Sequence, residues 1–327
     1  MARHTRRAIL KGGALAAAAI AAGPSRAQEF APRQMRIVVS AAAGGATDAI
    51  ARLIGGKIAP ALKTTLLVEN HTGGHFGKVF KETVSSPPDG TTIFMAPTSA
   101  VVAQLLHPEV GYDMRRDMAP VTQVATGPLV LVARKGIPIK SISDLIEYSK
   151  KNSNKVTFGS GGGTGSSFYL ALQLLRLNTG ITFTHVPYRG AGPVLNDLLG
   201  GHIDMMFDAM PIMAPQIKSD KVTPVAVTSL QRIAALPDVP TVVEQGIKGY
   251  EVAGWFGLLA PGNTPLPIRQ RIRDEVAKAL KEPDVVTWLT NQGMTPVGTQ
   301  PEEWFDYLKG EIARWAKVVK DADIKPE

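Results

Sequence analysis

Residues 37–52 read Ile37-Val38-Val39-Ser40-Ala41-Ala42-Ala43-Gly44-Gly45-Ala46-Thr47-Asp48-Ala49-Ile50-Ala51-Arg52: a short apolar strand that runs through small residues and two glycines directly into a helix. From Ala41 to Thr47 there is little side chain, so the backbone N–H groups at the helix start are left open to a partner from outside the chain. A helix N-terminus carries unpaired donors and partial positive charge, a combination suited to a carboxylate or a phosphate. A tight strand-to-helix turn explains the same residues, and this stretch alone does not separate the two readings.

Working outward, the chain continues to alternate short β-branched runs with amphipathic segments, the pattern of an α/β fold with largely parallel strands. Ile50, Leu53, Ile54 and Ile58 share a helical face, and Leu66 to Val68 form the next strand. Asn70 to Gly77 form a second loop rich in glycine and histidine, and a helix then runs through Val84. Pro87-Pro88-Asp89-Gly90 is a turn, and Thr92 to Met95 resume a strand. Pro128 to Ala133 is apolar on both faces, so it reads as a buried strand and marks the first crossing between domains.

Past that crossing, a capped helix begins around Ser143-Asp144-Leu145-Ile146-Glu147, and the strand Val156 to Phe158 leads into the Gly/Ser loop Gly159 to Ser167. Thr184 to Tyr188, Ile203 to Phe207 and Val222 to Thr228 supply further strands. Trp255 to Ala260 carries the chain back. Thr299 and Glu302 fit a capping box for a last helix with Phe305, Leu308, Ile312, Trp315 and Val319 on its apolar face. The expected domains are 31–128 with 250–327, and 129–249.

The first 27 residues belong to a different class of segment. Arg3, Arg6, Arg7 and Lys11 precede an apolar run from Gly12 to Ala22, and Ser25-Arg26-Ala27 follows, which is the layout of a cleavable export signal. Thr5-Arg6-Arg7-Ala8-Ile9-Leu10-Lys11 fits the twin-arginine variety, with Ile9 where phenylalanine is more usual. Removing this segment takes away five basic residues and no acidic one, so the formal charge falls from +8 to +3. The basic character is thus largely a property of the signal, and no Lys/Arg run interleaved with aromatics remains to suggest nucleic acid. The 300 residues left suffice for two sizeable cores. Without any cysteine, thiol catalysis, thiolate zinc sites, iron-sulfur clusters and a lipid-anchored N-terminal cysteine are excluded.

Two strand-to-helix turns, Ser40 to Asp48 and Gly159 to Ser167, therefore stand one in each expected domain. In open α/β sheets ligands sit beyond the carboxyl ends of strands, and two facing domains make a cleft lined by helix N-termini. Nucleotide motifs fail on spacing: no G-x-G-x-x-G can be drawn through Gly159 to Gly165, and Gly56-Lys57 and Gly77-Lys78 lack the Ser or Thr of a P-loop. Hydrolase signatures such as G-x-S-x-G and H-E-x-x-H are missing as well. His71 and His75 could in principle share a metal, but no third ligand is near in sequence, and a solvated or cleft-edge role is the preferred reading. Asp208, at the end of a strand, could accept hydrogen bonds from a ligand hydroxyl or ammonium, or simply cap the next turn. Asp48 sits in a first helical turn and could equally be a local stabiliser. Arg189 could pair with an acidic ligand or be a solvated turn residue.

The order of these motifs resembles the solute receptors of tripartite tricarboxylate transporters, often called Bug receptors. The carrying segments are Ala43-Gly44-Gly45-Ala46-Thr47-Asp48 with Ala51-Arg52, Val68-Glu69-Asn70, Pro88-Asp89-Gly90, Tyr112-Asp113, Pro120-Val121, Val186-Pro187-Tyr188-Arg189-Gly190, Phe207-Asp208, and Leu236-Pro237-Asp238-Val239-Pro240-Thr241 with Glu244 and Gly246. The resemblance implies a two-domain periplasmic binding protein of the type II, Venus-flytrap kind, whose cleft closes on a small organic carboxylate, a dicarboxylate or an aromatic acid. It implies a monomer that passes the solute to membrane transporter subunits, with neither cofactor nor metal and no catalysis.

The binding residues it implies are Ser40, Ala41, Ala43, Gly44, Gly45, Asp48 and His71 from the first domain. From the second they are Ser160, Gly161, Thr164, Ser167 and Asp208. An exported hydrolase using the same cleft, or a binding protein that feeds a sensor, are the competing readings. Two departures bear on the ligand: Val39-Ser40-Ala41 stands where the family usually has Val-Pro-Phe, and the loop Asn70 to Gly77 is two residues shorter than usual. A roomier pocket, open to an aromatic or branched acid, is the expected consequence.

Overall fold

A computed structural model of the protein describes Phe30 and residues 32–41, 43–72, 76–188 and 190–326. Contacts separate Met1–Ala31 from Pro32–Glu327, and every element below belongs to the second part. The expected export signal, residues 1–27, lies outside the described residues, as do His75, Arg189 and the middle of the Asn70 to Gly77 loop.

The chain opens with β1 (Gln34–Val39), α1 (Ala46–Ala61), β2 (Thr65–Asn70), α2 (Gly77–Val84), β3 (Thr92–Pro97), α3 (Thr98–Leu106), the single turn α4 (Met114–Asp117) and the long β4 (Met118–Arg134). It continues through α5 (Ile142–Lys151), β5 (Thr157–Gly161), α6 (Ser167–Thr179), β6 (Thr184–Tyr188), α7 (Ala191–Gly200), β7 (Met205–Ala209), α8 (Met210–Lys218) and β8 (Val222–Val227). It closes with β9 (Ala253–Pro261), α9 (Leu266–Ala279), α10 (Pro283–Asn291), the two-residue β10 (Thr295–Pro296) and α11 (Pro301–Asp321).

The strands lie in the order β2-β1-β3-β9-β4-β7-β5-β6, with β8 and β10 also pairing to β4. β1 runs parallel to β2 and β3, and β5 parallel to β6 and β7, as strand-helix-strand units require. Ile37, Val38 and Val39 are each buried because helices cover both faces of the sheet. On α1 the buried face includes Ile50, Ile54 and Ile58, each four residues from the next.

β4 links the two halves of the sheet. Met118 to Pro128 pair with β9, and from Leu129 onward the partners are β7 and β8. The apolar run Pro128 to Ala133 is only its second half. The first half was hidden by Pro120, Thr122, Gln123 and Thr126, whose polar groups find tertiary partners: Thr122 Oγ1 donates to the Thr299 carbonyl at 2.8 Å, and the Gln123 N–H donates to Thr299 Oγ1 at 2.9 Å.

The same contacts correct the expected cap of the last helix. Thr299 is engaged by β4, so α11 starts one residue later, with Pro301 in its first turn and the Gln300 N–H donating to Glu303 Oε2 at 2.8 Å. Similarly, the cap of α5 is Ser141, whose hydroxyl accepts from the Asp144 N–H at 3.0 Å.

α11 packs on α3, β4 and α6. Beneath it Trp255, Trp304 and Trp315 are fully buried, and the Trp255 and Trp304 rings meet edge-on with centroids 5.0 Å apart. The indole N–H groups of Trp255 and Trp315 both donate to Glu311 Oε2, at 2.9 and 3.1 Å. A buried carboxylate thus satisfies two buried donors and holds Arg314 at 2.7 Å.

Candidate functional site

The carboxyl ends of β1, β3, β5 and β7 and the facing ends of β4 and β9 surround a cavity of about 820 Å³. Ser40, Gly44 and Thr47 border it from the first loop, Pro97 to Ser99 from the β3-to-α3 junction, and Gly161, Gly162, Ser166 and Ser167 from the Gly/Ser loop. Asp208, Ala209 and Met210 border it at the β7-to-α8 junction. Gly127 to Leu129 and Gly254 to Phe256 form its floor, where the strands cross.

Helix starts converge on this space. α1, α3 and α8 each begin at the cavity wall with no side-chain cap on their first N–H groups. Each such terminus favours an anion by roughly 0.3 to 2 kcal/mol. α6 differs, because Ser166 Oγ accepts from the Tyr169 N–H at 3.2 Å. Among the described residues no lysine or arginine lines the cavity; its ionisable groups are Asp208 and His107.

Asp208 is 2% exposed. Its Oδ1 accepts the Ala209 N–H at 2.7 Å, while Oδ2 has no hydrogen-bond partner among the described residues. Burial pushes its carboxyl up to about 7, against the smaller opposing effect of the Ala209 N–H. The local cap is thus present on one oxygen, and the other lies buried at the cavity wall without a partner among the described residues.

Asp48 is held elsewhere. Its Oδ2 accepts from the Gly44 N–H at 2.9 Å and from Arg52 Nε at 3.1 Å, and its Oδ1 accepts from Asn70 Nδ2 at 2.9 Å. The Arg52 hydrogen bond above all holds its carboxyl down at about 2. This residue shapes the first loop from beneath and is not part of the cavity wall.

Of the expected site residues, Ser40, Gly44, Gly161, Ser167 and Asp208 line the cavity, whereas Ala41, Ala43, Gly45, Asp48, His71, Ser160 and Thr164 do not. Ser160 is buried under its loop, with Oγ 2.7 Å from His185 Nε2. A Cβ on the neighbouring Gly161 would sit 2.8 Å from the backbone of Gly190 and Ala191, so only glycine lets the end of β5 approach the start of α7.

His71 turns away from the cavity towards Glu69 and Glu82; ligand atoms of the three lie within 4.8 Å of one another. Arg36 Nη1 already lies among them, 3.1 Å from Glu69 and 2.6 Å from Glu82, and supplies the positive charge that such a group calls for.

One wall had no counterpart in the sequence reading: Trp288, Gln292, Gly293 and Met294, from α10 and the turn after it. They carry no motif, and they reach the cavity only because β10 pairs with β4 at Thr126 and Ala125. Gly293 has a φ of +66°, and a Cβ there would fall 2.1 Å from Met210 Cβ, so this turn lies directly on the start of α8.

Comparison with known proteins adds an identity to this geometry. Residues 50–324 match the family described as "Tripartite tricarboxylate transporter family receptor". A UPF0065 protein in the tcbD-tcbE intergenic region of Pseudomonas sp. (strain P51) is 37% identical over 316 residues, covering 96% of this chain and 94% of the relative. Protein BugT of Bordetella pertussis is 32% identical, covering 95% of each chain. Among solved structures, R. palustris Rpa4515 with adipate is 32% identical with a TM-score of 0.79, covering 90% of this chain and 99% of that one. MatC from Rhodopseudomonas palustris with bound malate is 32% identical with a TM-score of 0.76, covering 89% and 100%. These similarities agree with the mixed α/β periplasmic binding protein fold expected from the sequence.

Proposed function

This chain belongs to the tripartite tricarboxylate transporter family of receptors, and on that premise we propose that it captures a small organic carboxylate in the cavity and delivers it to membrane transporter subunits. The carrying observation is the convergence of three uncapped helix starts with the unpartnered Oδ2 of Asp208 on one cavity of about 820 Å³. The helix starts suit the carboxylate, and Asp208 suits a hydroxyl or amino group on the same solute. Malate, bound in one neighbouring structure, carries both groups, and adipate, bound in another, carries carboxylates alone.

In this reading the segments 31–128 with 250–327 and the segment 129–249 are two domains that close on the solute, with β4 and the chain around β9 as the hinge. The first 27 residues export a monomeric receptor to the periplasm by the twin-arginine route. No helix among the described residues is long and apolar enough to cross a membrane, which accords with a receptor that travels to its transporter. Binding, not bond-making, is the proposed activity: Ser160 Oγ and His185 Nε2, 2.7 Å apart, meet beneath the cavity wall.

The test is calorimetry and thermal melting of ligand-stripped protein against mono-, di- and aromatic carboxylates, with product analysis of any mixture that binds. Saturable binding without turnover is expected. No binding across the panel, or conversion of a bound acid, would sink the proposal.

A further inference from the structure

The start of α8 sets two opposing demands on whatever enters the cavity. No side chain caps this helix, Pro211 has no N–H, and the Ala209 N–H is engaged by Asp208 Oδ1, so the donors of its first turn are the N–H groups of Met210 and Ile212. Such a terminus favours an anion. Two residues before Met210, however, Asp208 Oδ2 lies buried at the cavity wall without a partner among the described residues, and an ionised carboxylate there repels an anion. A hydroxyl or ammonium group meets no conflict, because it can donate to the ionised oxygen. A second carboxylate does.

No described lysine or arginine lines the cavity to offset two negative charges side by side. The cations on the elements packed against β7 lie away from Asp208. Arg134 of β4 pairs with Asp204, before the first residue of β7. Arg176 is in the last turn of α6 and donates to the Ala322 carbonyl, and Lys218 is in the last turn of α8. The other titratable groups of these elements are Tyr169 of α6 and Asp197 of α7, the latter accepting from Tyr188 Oη. His107, also on the cavity wall, lies 3.0 Å from Glu109, His185 meets Ser160 beneath the wall, and Asp284 of α10 pairs with Lys57. Burial meanwhile favours the protonated form of Asp208, whose carboxyl stands at about 7.

A first carboxylate has a place of its own. α1 and α3 also start uncapped at the cavity, beyond β1 and β3, which lie on the opposite side of the β9–β4 pair from β7. A second carboxylate on the same solute then reaches α8, where the turn of Gln292 and Gly293 lies directly on Met210 and adds an amide to the wall. We infer that an acid with two carboxylates enters the cavity together with one proton from solvent, held on Asp208 Oδ2 while the second carboxylate lies at the start of α8. The proton removes the repulsion and makes Oδ2 a donor. Nearness of the two groups is enough for this linkage, and direct contact is not required. This rests on the receptor reading above and specifies the charge state in which a solute is taken.

Binding that tightens the hold of Asp208 on its proton must weaken as the pH rises, by up to about tenfold per pH unit above the unliganded value of about 7. The experiment is calorimetry of the ligand-stripped full chain with adipate at pH 6.5 and 8.5, and at pH 8 in two buffers of different ionisation enthalpy, which counts protons. The wild type should bind adipate about tenfold or more weakly at pH 8.5 than at pH 6.5 and take up close to one proton per adipate at pH 8. Asp208→Asn, neutral at every pH, should bind adipate with no uptake and with nearly the same affinity at both pH values. Wild-type affinity independent of pH, or binding without proton uptake, overturns the inference whatever the variant does. Uptake that survives in Asp208→Asn and is lost in His107→Gln places the proton on the other group and overturns it too. If a different diacid of the wider panel binds in place of adipate, it becomes the probe; binding of monocarboxylates alone overturns the inference. All these outcomes leave the receptor reading standing, whereas no binding by any acid of the panel at pH 6.5 overturns both.

Discussion

Asn70 Nδ2 donates to Asp48 Oδ1 at 2.9 Å, so the last residue of β2 fixes the first turn of α1. Together with the Gly44 N–H on Oδ2, this bond gives the cavity's first loop a rigid base below the surface that a solute would touch. Asp48→Asn should therefore cost stability with little direct effect on contacts to solute. The carboxyl is held at about 2 rather than 3.8, which corresponds to about 2 kcal/mol, and the half-exposed Arg52 partner reduces this to about 1 kcal/mol. Because the folded value is depressed, this contribution is present above about 3.8 and is lost as the pH falls through about 2. Urea midpoints of wild type and Asp48→Asn should differ at pH 7 and converge in acid; a constant difference would refute the assignment.

Asp208 titrates in the opposite sense. Its folded value lies near 7 against an ordinary 3.8, so ionisation in the unliganded protein is unfavourable, and the cost is absent below about 3.8, grows up to about 7 and is constant above. Asp208→Asn should raise the unliganded melting temperature at pH 8, by an amount equivalent to about 2 to 4 kcal/mol, and leave it nearly unchanged at pH 4. The same variant should weaken a hydroxyl- or amino-bearing acid. Equal shifts at both pH values would mean that the carboxyl is not buried as described.

Glu311 receives the indole N–H groups of both Trp255 and Trp315 and pairs with Arg314. Glu311→Ala leaves two buried donors without a partner and removes the ion pair of Arg314, whose Nη1 still donates to the Glu251 carbonyl, and a loss of about 2 to 4 kcal/mol is expected from denaturant unfolding. Glu311→Gln keeps one acceptor oxygen and should lose less. Equal losses in the two variants would show that packing, not hydrogen bonding, matters at this position.

Gly293→Ala puts a methyl group 2.1 Å from Met210 Cβ at a backbone φ of +66°. The turn after α10 must then move off the start of α8, at a cost of more than about 1 kcal/mol. Met210→Gly combined with Gly293→Ala should recover part of that loss, leaving the φ penalty behind. A double variant no better than the single would place the strain elsewhere.

The fold was largely legible because several strands are buried and spell themselves as apolar runs: Ile37 to Val39 and Val222 to Val227 appear where composition places them, and the part-exposed edge strand Thr184 to Tyr188 does as well. β4 was half-hidden, since Thr122 and Gln123 are polar and buried, and their partner Thr299 lies over 170 residues away. The same partner moved the cap of α11 by one residue, for Thr299 cannot both hold β4 and begin a helix. Local rules see neither contact, because both depend on a distant segment.

The candidate site divides in the same way. Residue order dictated the two glycine-bearing loops, the uncapped start of α1 and the strand-end position of Asp208, because turn chemistry and strand ends are local properties. Folding decided that Asp48 faces inward to Asn70, that Asp208 keeps one buried oxygen unpartnered, and that Trp288 and Met294 share a wall with Met210. The first comes from the parallel pairing of β1 with β2, and the other two from the pairing of β4 with β7 and with β10. Burial and unmet hydrogen bonds exist only once those segments meet, and they shape what the cavity can hold.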